Sequence, residues 1–426
     1  MAVAILFTVF GVLLLIGVPV AFSLAASSLA TVVYLGLPTL VVVQQTAAGA
    51  SVTTLIAIPL FIFAGEMMMR GGISERLIAL AGSLVGRLRG GLGQINVLSS
   101  LFFGGVSGSA VADVSAIGGT MIPQMIQRGF DRDFAVSVTV SAAIVALLVP
   151  PSHNLILYSA SAGGGISISD LFAAGIVPAL LLTVVLMITT AVMARRRGYA
   201  TEAFPGFRAV MRRFISALPG LLLVGIIFGG IRGGVFTAIE SAAIAVVYAI
   251  GVTAVVYRNL SLRSFMAACA GAVRTTGLIL FVIGAAASFG WLLAYLEVPA
   301  AAVKVLTGIA SDKNTVLLLM IAMLLVLGTF MDLAPLIIIC TPIFLPVAKA
   351  VGISPVHFGV ILILKGGLGL ITPPIGSVLF VGTAIGRISI GEVLKTIWPF
   401  YLSVLVVLLI VAFVPELSLW LPAALK

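Results

Sequence analysis

Two stretches of this sequence put oxygen-rich, helix-breaking residues inside apolar surroundings. The first reads Gly104-Gly105-Val106-Ser107-Gly108-Ser109-Ala110. Glycine lets a backbone turn sharply and bare its carbonyls, and serine adds hydroxyl oxygens. Neutral oxygens of this kind can replace the lost water of a cation such as Na⁺. The same residues also suit a plain reentrant turn or a close helix contact. The second stretch, Gly328-Thr329 followed by Asp332, is its counterpart further along the chain. Recurrence of the pattern favours the ion-binding reading.

Each stretch is followed by a double proline, Pro150-Pro151-Ser152 and Thr372-Pro373-Pro374. Proline removes a helical hydrogen bond and frees a carbonyl. At membrane depth a freed carbonyl is tolerated only where protein or a cavity satisfies it. The spacing therefore predicts two unwound points facing the two tips. Ser107, Gly108, Ser109 and Ser152, with Gly328, Thr329, Thr372 and Pro373, form the expected Na⁺ set. The ionisable residues in apolar runs are Glu66, Asp113, Glu240, Asp332 and Lys365. Charges there are costly and usually functional. The expected substrate set is Ser109, Asp113, Pro151, Asn154, Asp332 and Lys365. His153 and His357 read as structural. Ser109 with His153 is the one pair that could serve an intramembrane enzyme. HExxH, GxSxG, GxxxxGK[ST] and CxxC motifs are all absent, so ATP hydrolysis at a P-loop is not expected.

Composition sets the surroundings of these residues. The chain has 426 residues, 62% hydrophobic and 8% charged, with a mean hydropathy of +1.31. Soluble domains are about 25% charged, so a soluble enzyme, a disordered chain and a nucleic-acid binder are excluded. The apolar runs are long and continuous, which points to helices rather than a β-barrel. The first run, from Ala2 to Val18, reads as a retained span and not as a signal peptide.

Spans are expected near 2–18, 20–36, 53–69, 170–194, 215–231, 235–257, 273–296 and 397–415. Interrupted runs cover 92–127 and 314–350, and Pro-Pro-broken spans cover 133–161 and 355–384. The stretch 73–90 is amphipathic and reads as a connector arm at the membrane interface. The most polar stretch, 195–213, reads as a cytoplasmic linker.

An offset of 223 residues places Gly105 on Gly328, Pro123 on Pro346, Gly129 on Gly352 and Pro150-Pro151 on Pro373-Pro374. The chain is thus expected to divide into a repeat at 1–194, the linker at 195–213 and a second repeat at 214–426. With the linker in the cytoplasm, Arg232, Lys304, Lys313, Lys349 and Lys426 fall outside and Lys365 falls in a span. The other 17 of the 23 basic residues fall inside, as the positive-inside bias requires. Both termini are then periplasmic, and the repeats are inverted, as in many secondary transporters.

At these motifs the chain resembles the large membrane subunit of tripartite ATP-independent periplasmic (TRAP) transporters, the DctM type. The similar stretches are IPLFIFAGEMM at 58–68, GGVSGSAVADVSAIG at 104–118, VPPS at 149–152 and FTAIESAAIAVVYA at 236–249. The most specific are GTFMDLAPLIIICTPIFLPVAKAVGISPVHFGVI at 328–361 and GLGLITPPIGSVLFV at 367–381. The resemblance implies an all-α polytopic protein of the bacterial inner membrane with an elevator mechanism. It implies Na⁺-coupled import of organic anions such as C4-dicarboxylates or sialic acid. The implied partners are a small four-helix membrane subunit and a periplasmic substrate-binding protein. Lys365 departs from the Asn usual in the family, which bears on Na⁺ stoichiometry. A stand-alone symporter or antiporter and a purely structural subunit are the rival readings.

Overall fold

The computed structural model describes residues 1–201, 204–310 and 312–425, and these form helices and connecting turns with no β-strand. Among the described residues, seven helices are long and apolar enough to cross a membrane, or nine if two sharply bent pairs each count as one span. The protein is a multi-pass helical membrane protein. Lys426 of the charge count lies outside the described residues, as do positions 202 and 203 of the linker.

Both interrupted runs are helical hairpins. The first climbs through Gly91–Ser107, breaks at Gly108 and returns through Ala110–Asp113, a π-helical turn and Gly119–Gln127. Gly108 supplies the left-handed backbone (φ +59) that stops the first limb. Ser109 starts the second limb by accepting from the Ala112 N–H, the usual work of a serine N-cap. The second hairpin pairs Lys313–Phe330 with Leu333–Ala350, and here Asp332 is the N-cap. Both double prolines break a span as expected, between Ala143–Leu147 and His153–Ser161 and between Pro355–Leu370 and Ser377–Gly386. Both Pro-Pro bonds are cis.

Several sequence expectations need correction. Helices Leu40–Ala50, Val298–Ile309, Ile390–Thr396 and Glu416–Ala424 were not foreseen. They are short, and their apolar residues do not stand out from a uniformly apolar chain. The linker is shorter than 195–213, because Arg195–Arg197 close the helix Ile168–Arg197 and Phe207 opens Phe207–Arg232. A row of arginines has no need to leave a helix at its C-terminal end, where it faces the negative end of the dipole. The amphipathic stretch is helical over Ile73–Val85 only.

The hairpins and broken spans pack on one another in a repeated pattern. The returning limb of the first hairpin lies against Ser377–Gly386, the far half of the second broken span. The returning limb of the second hairpin lies against His153–Ser161, the far half of the first. A separate group, Ala2–Leu15, Val20–Tyr34, Leu40–Ala50, Ala57–Arg70, Ala238–Gly251 and Leu262–Tyr295, packs alongside as a scaffold. Without a hydrophobic drive in lipid, helices associate by close van der Waals fit at small residues. A side chain at Gly367 would strike Ile144, and one at Gly359 would strike Tyr158. The Tyr158 hydroxyl donates to the Pro355 carbonyl at 2.6 Å, so the two broken spans are bonded as well as packed.

Candidate functional site

Each hairpin tip is docked on its own double-proline break. In the first half, a Cβ at Gly108 would collide with the Pro151 carbonyl and lie 3.0 Å from Ser152 Cα. Glycine is therefore needed both for its φ and for this approach. The Asn154 amide donates to the Gly108 carbonyl at 3.3 Å. Ser152 Oγ donates to the Leu147 carbonyl at 2.6 Å, bridging the break itself. In the second half, the Ile375 N–H donates to the Thr329 carbonyl at 3.3 Å. Ser377 Oγ donates to Asp332 at 3.2 Å, and the same carboxylate caps the Leu333 N–H at 3.0 Å.

The two halves meet at one cavity of about 450 Å³. Ser107 and Ser109 reach it from the first tip, His153 and Asn154 from the first broken span, and Asp332 and Leu333 from the second tip. Glu66, Thr275 and Ile279 close it from the scaffold helices Ala57–Arg70 and Leu262–Tyr295. Three helical segments begin at this cavity, at Ala110, His153 and Leu333. Their positive dipole ends favour an anion. Hydroxyl and carbonyl oxygens around Ser107 and Ser109 favour a small cation in the same place.

Of the residues singled out by sequence, Ser107, Ser109, Asn154 and Asp332 line the cavity. Gly108 is the turn of the first tip, with Pro151 and Ser152 packed against it; Gly328 and Thr329 belong to the second tip, and Thr372 and Pro373 to the break whose Ile375 bonds to it. Three of the expected substrate residues do not line the cavity: Pro151, which backs Gly108, Asp113 and Lys365. Asp113 is fully buried inside the hairpin, where one oxygen accepts from Ser100 Oγ at 2.7 Å and the other has no hydrogen-bond partner. Its carboxylate faces the opposite limb and not the cavity. Lys365 is also fully buried and does not line the cavity, and its Nζ has no hydrogen-bond partner.

Glu240 is a further correction to the reading that a charge in an apolar run is functional. It is exposed and completes a capping box with Thr237 at the start of Ala238–Gly251, a helix-starting device. Glu66 moves the other way. It pairs with Arg70 at 3.3 Å and lines the cavity, although sequence alone left it outside the site. Its signal was the glutamate inside the stretch at 58–68. Thr275 gave no signal, because it sits in an ordinary apolar helix and gains its role only by facing the hairpins.

Residues 7–417 match the tripartite ATP-independent periplasmic transporter family, DctM component. The chain belongs to this family. It is similar to the sialic acid TRAP transporter large permease protein SiaM of Vibrio cholerae, with 36% identity over 96% of both chains. It is 35% identical to the isethionate TRAP transporter permease protein DctMQ of Oleidesulfovibrio alaskensis, over 98% of this chain and 66% of that one. Its fold is that of the YdaH transporter of Alcanivorax borkumensis, with a TM-score of 0.64 at 15% identity over 87% and 86% of the two chains. The family is one of transporter permeases, so the chain is a TRAP large permease component and not an enzyme. Ser109 accordingly serves as a helix cap, and no nucleophile role is assigned to it with His153.

Proposed function

We propose that this TRAP large permease imports an organic anion of the carboxylate class by Na⁺-coupled, binding-protein-dependent transport. The observation that carries the reading is the single cavity on which both hairpin tips and a broken span converge. Helix N-termini there supply positive dipole ends for a carboxylate, and Ser107, Ser109 and the carbonyls of Gly108 and Pro151 supply neutral oxygens for Na⁺. Gly328, Thr329, Thr372 and Pro373 mark the corresponding position for a cation at the second tip. Asn154 and Asp332 are the polar groups offered to the solute. Relatives named for sialic acid and isethionate support an acidic cargo.

The reciprocal packing of hairpins and broken spans supports two inverted repeats, 1–194 and 214–426, in one transport unit. The cavity lies between that unit and the scaffold, which is where an elevator motion would expose it to one side and then the other. The small membrane subunit and the periplasmic binding protein are the expected partners. The fused DctMQ relative, of which this chain covers 66%, supports the first of these. The setting is the inner membrane with both termini periplasmic.

The test is uptake of candidate carboxylates into proteoliposomes holding this chain and its small subunit, with the binding protein added outside. Uptake should require a Na⁺ gradient and the binding protein. Full uptake driven by a proton gradient in Na⁺-free buffer would contradict the coupling. Full uptake by the chain alone would favour a stand-alone symporter.

A further inference from the structure

Lys365, like Asp113, is a buried ionisable residue that the proposed mechanism leaves unused. It lies within the helix Pro355–Leu370, 0% exposed, and its Nζ has no hydrogen-bond partner among the described residues. The Nζ rests against Gly328, since a side chain at Gly328 would run straight into it. The helices touch at this level, where a Cβ at Gly369 would press on the Gly328 backbone.

Gly328 belongs to the last turn of Lys313–Phe330. The last carbonyls of a helix lack intrahelical donors and form the negative end of its dipole. One of them, that of Thr329, takes the Ile375 N–H, and the C-cap residue Met331 donates no capping bond. The lysine head therefore lies beside the carbonyl end of this helix, with no single carbonyl in hydrogen-bond reach. Among the described residues, no carboxylate lies within hydrogen-bond reach of its Nζ. Asp332 is engaged with the Leu333 N–H and Ser377. The 223-residue offset puts Ala142 at the matching position of the first half. The first half thus has no side-chain cation there.

We propose that Lys365 is a tethered cation, its ammonium standing at the carbonyl end of the second hairpin in place of a mobile coupling ion. The first half alone then takes up Na⁺, so each solute crosses with fewer ions than two open halves would require. This rests on the Na⁺-coupled reading above for what the first half binds.

The test is thermal unfolding of the full chain in lipid nanodiscs, titrated with NaCl against choline chloride. Ligand that binds only the folded state raises its stability. At Na⁺ well above its Kd, the slope of stability against ln[Na⁺] should correspond to about one bound ion in wild type and to about two in Lys365→Asn, which opens the space. Recovery of Lys365→Asn only in Na⁺ buffer is the same result in stronger form. Lys365→Met fills the space without charge and should keep the wild-type Na⁺ response at a lower unfolding temperature. A Lys365→Asn variant with the wild-type Na⁺ response overturns the proposal, as does a wild type that binds two ions. So does a Lys365→Met variant of wild-type stability that has lost only solute binding, because the ammonium would then serve the solute. A wild type indifferent to Na⁺ would sink the Na⁺ coupling of the first half. A Na⁺ response gained only by Lys365→Asn would still uphold the tethered cation.

Discussion

The side-chain amide of Asn154 donates to the carbonyl of Gly108 at 3.3 Å, across 46 residues of sequence. This one bond joins the tip of the first hairpin to the helix that resumes after Pro150-Pro151. It therefore couples the place where a cation would sit to the place where a helix N-terminus meets the cavity. Asn154→Ala should leave the Gly108 carbonyl without this donor and lower stability by about 1 kcal/mol. Solute affinity and Na⁺ affinity should fall together. Separate titrations of each ligand, at saturating levels of the other, check this. Loss of one affinity without the other would mean that the bond does not couple them.

Gly108 should be intolerant of any side chain. Its φ of +59 places it in the left-handed region, and a Cβ would meet the Pro151 carbonyl. The backbone cost alone is about 1–2 kcal/mol, and the collision adds to it. Gly108→Ala should abolish uptake or block accumulation in the membrane. Gly119→Ala, in the same hairpin with nothing within 4 Å of its Cβ, should be near wild type. Equal damage from both would show the hairpin to be fragile at large rather than docked at Gly108.

Asp332 and Lys365 should behave as independent sites. Asp332 bonds to the Leu333 N–H and Ser377, and Lys365 Nζ has no hydrogen-bond partner. The effects of Asp332→Asn and Lys365→Met on unfolding temperature should add, with a coupling energy under about 0.5 kcal/mol. Rescue of Lys365→Met expression by Asp332→Asn would reveal an ion pair that the structure does not contain.

Arg197 should be needed as arginine. Its guanidinium bonds to Asp131 and Asp133 at 2.9 Å each and to Thr396 at 3.0 Å. Thr396 in turn donates a short bond to Asp133. This fork ties the end of Ile168–Arg197 to the start of Arg132–Ala142 and to a short helix more than 190 residues away in sequence. Bonds to charged groups are worth about 1.5–3 kcal/mol each when partly buried. Arg197→Gln should lower the unfolding temperature by several degrees. Arg197→Lys should restore little of it, because a point charge cannot bridge two carboxylates and a hydroxyl. Full stability of the lysine variant would mean that net charge is what matters there.

Sidedness can be read by labelling. With Ala2→Cys and Pro205→Cys in a chain whose Cys269 and Cys340 are replaced, an impermeant thiol reagent should reach the two positions from opposite faces of the membrane. Labelling from the same face would rule out the inverted arrangement of the repeats.

The sequence by itself determined the class of the molecule and the location of its breaks. Sixty-two per cent apolar residues leave no choice but lipid, and the two double prolines and Gly108 break the helices in which they fall. Gly108, Pro150-Pro151, Asp332 and Pro373-Pro374 were legible because backbone geometry is a local property. Short helices such as Leu40–Ala50 and Val298–Ile309 were not, since in a uniformly apolar chain hydropathy no longer marks where a helix ends. Only the tertiary structure decided which polar residues share a cavity. Asp113 and Ser109 are four residues apart, yet the carboxylate turns to Ser100 in the facing limb while Ser109 lines the site. Glu240 was absorbed by its own helix cap and Glu66 was drawn to the cavity. Lys365 came to rest under Gly328 rather than beside Asp332. The Glu240 cap is local, a Thr-x-x-Glu spacing; for Asp113 and Lys365 the neighbour lies on another element, and no spacing along the chain fixes how two helices rotate about their axes when they meet.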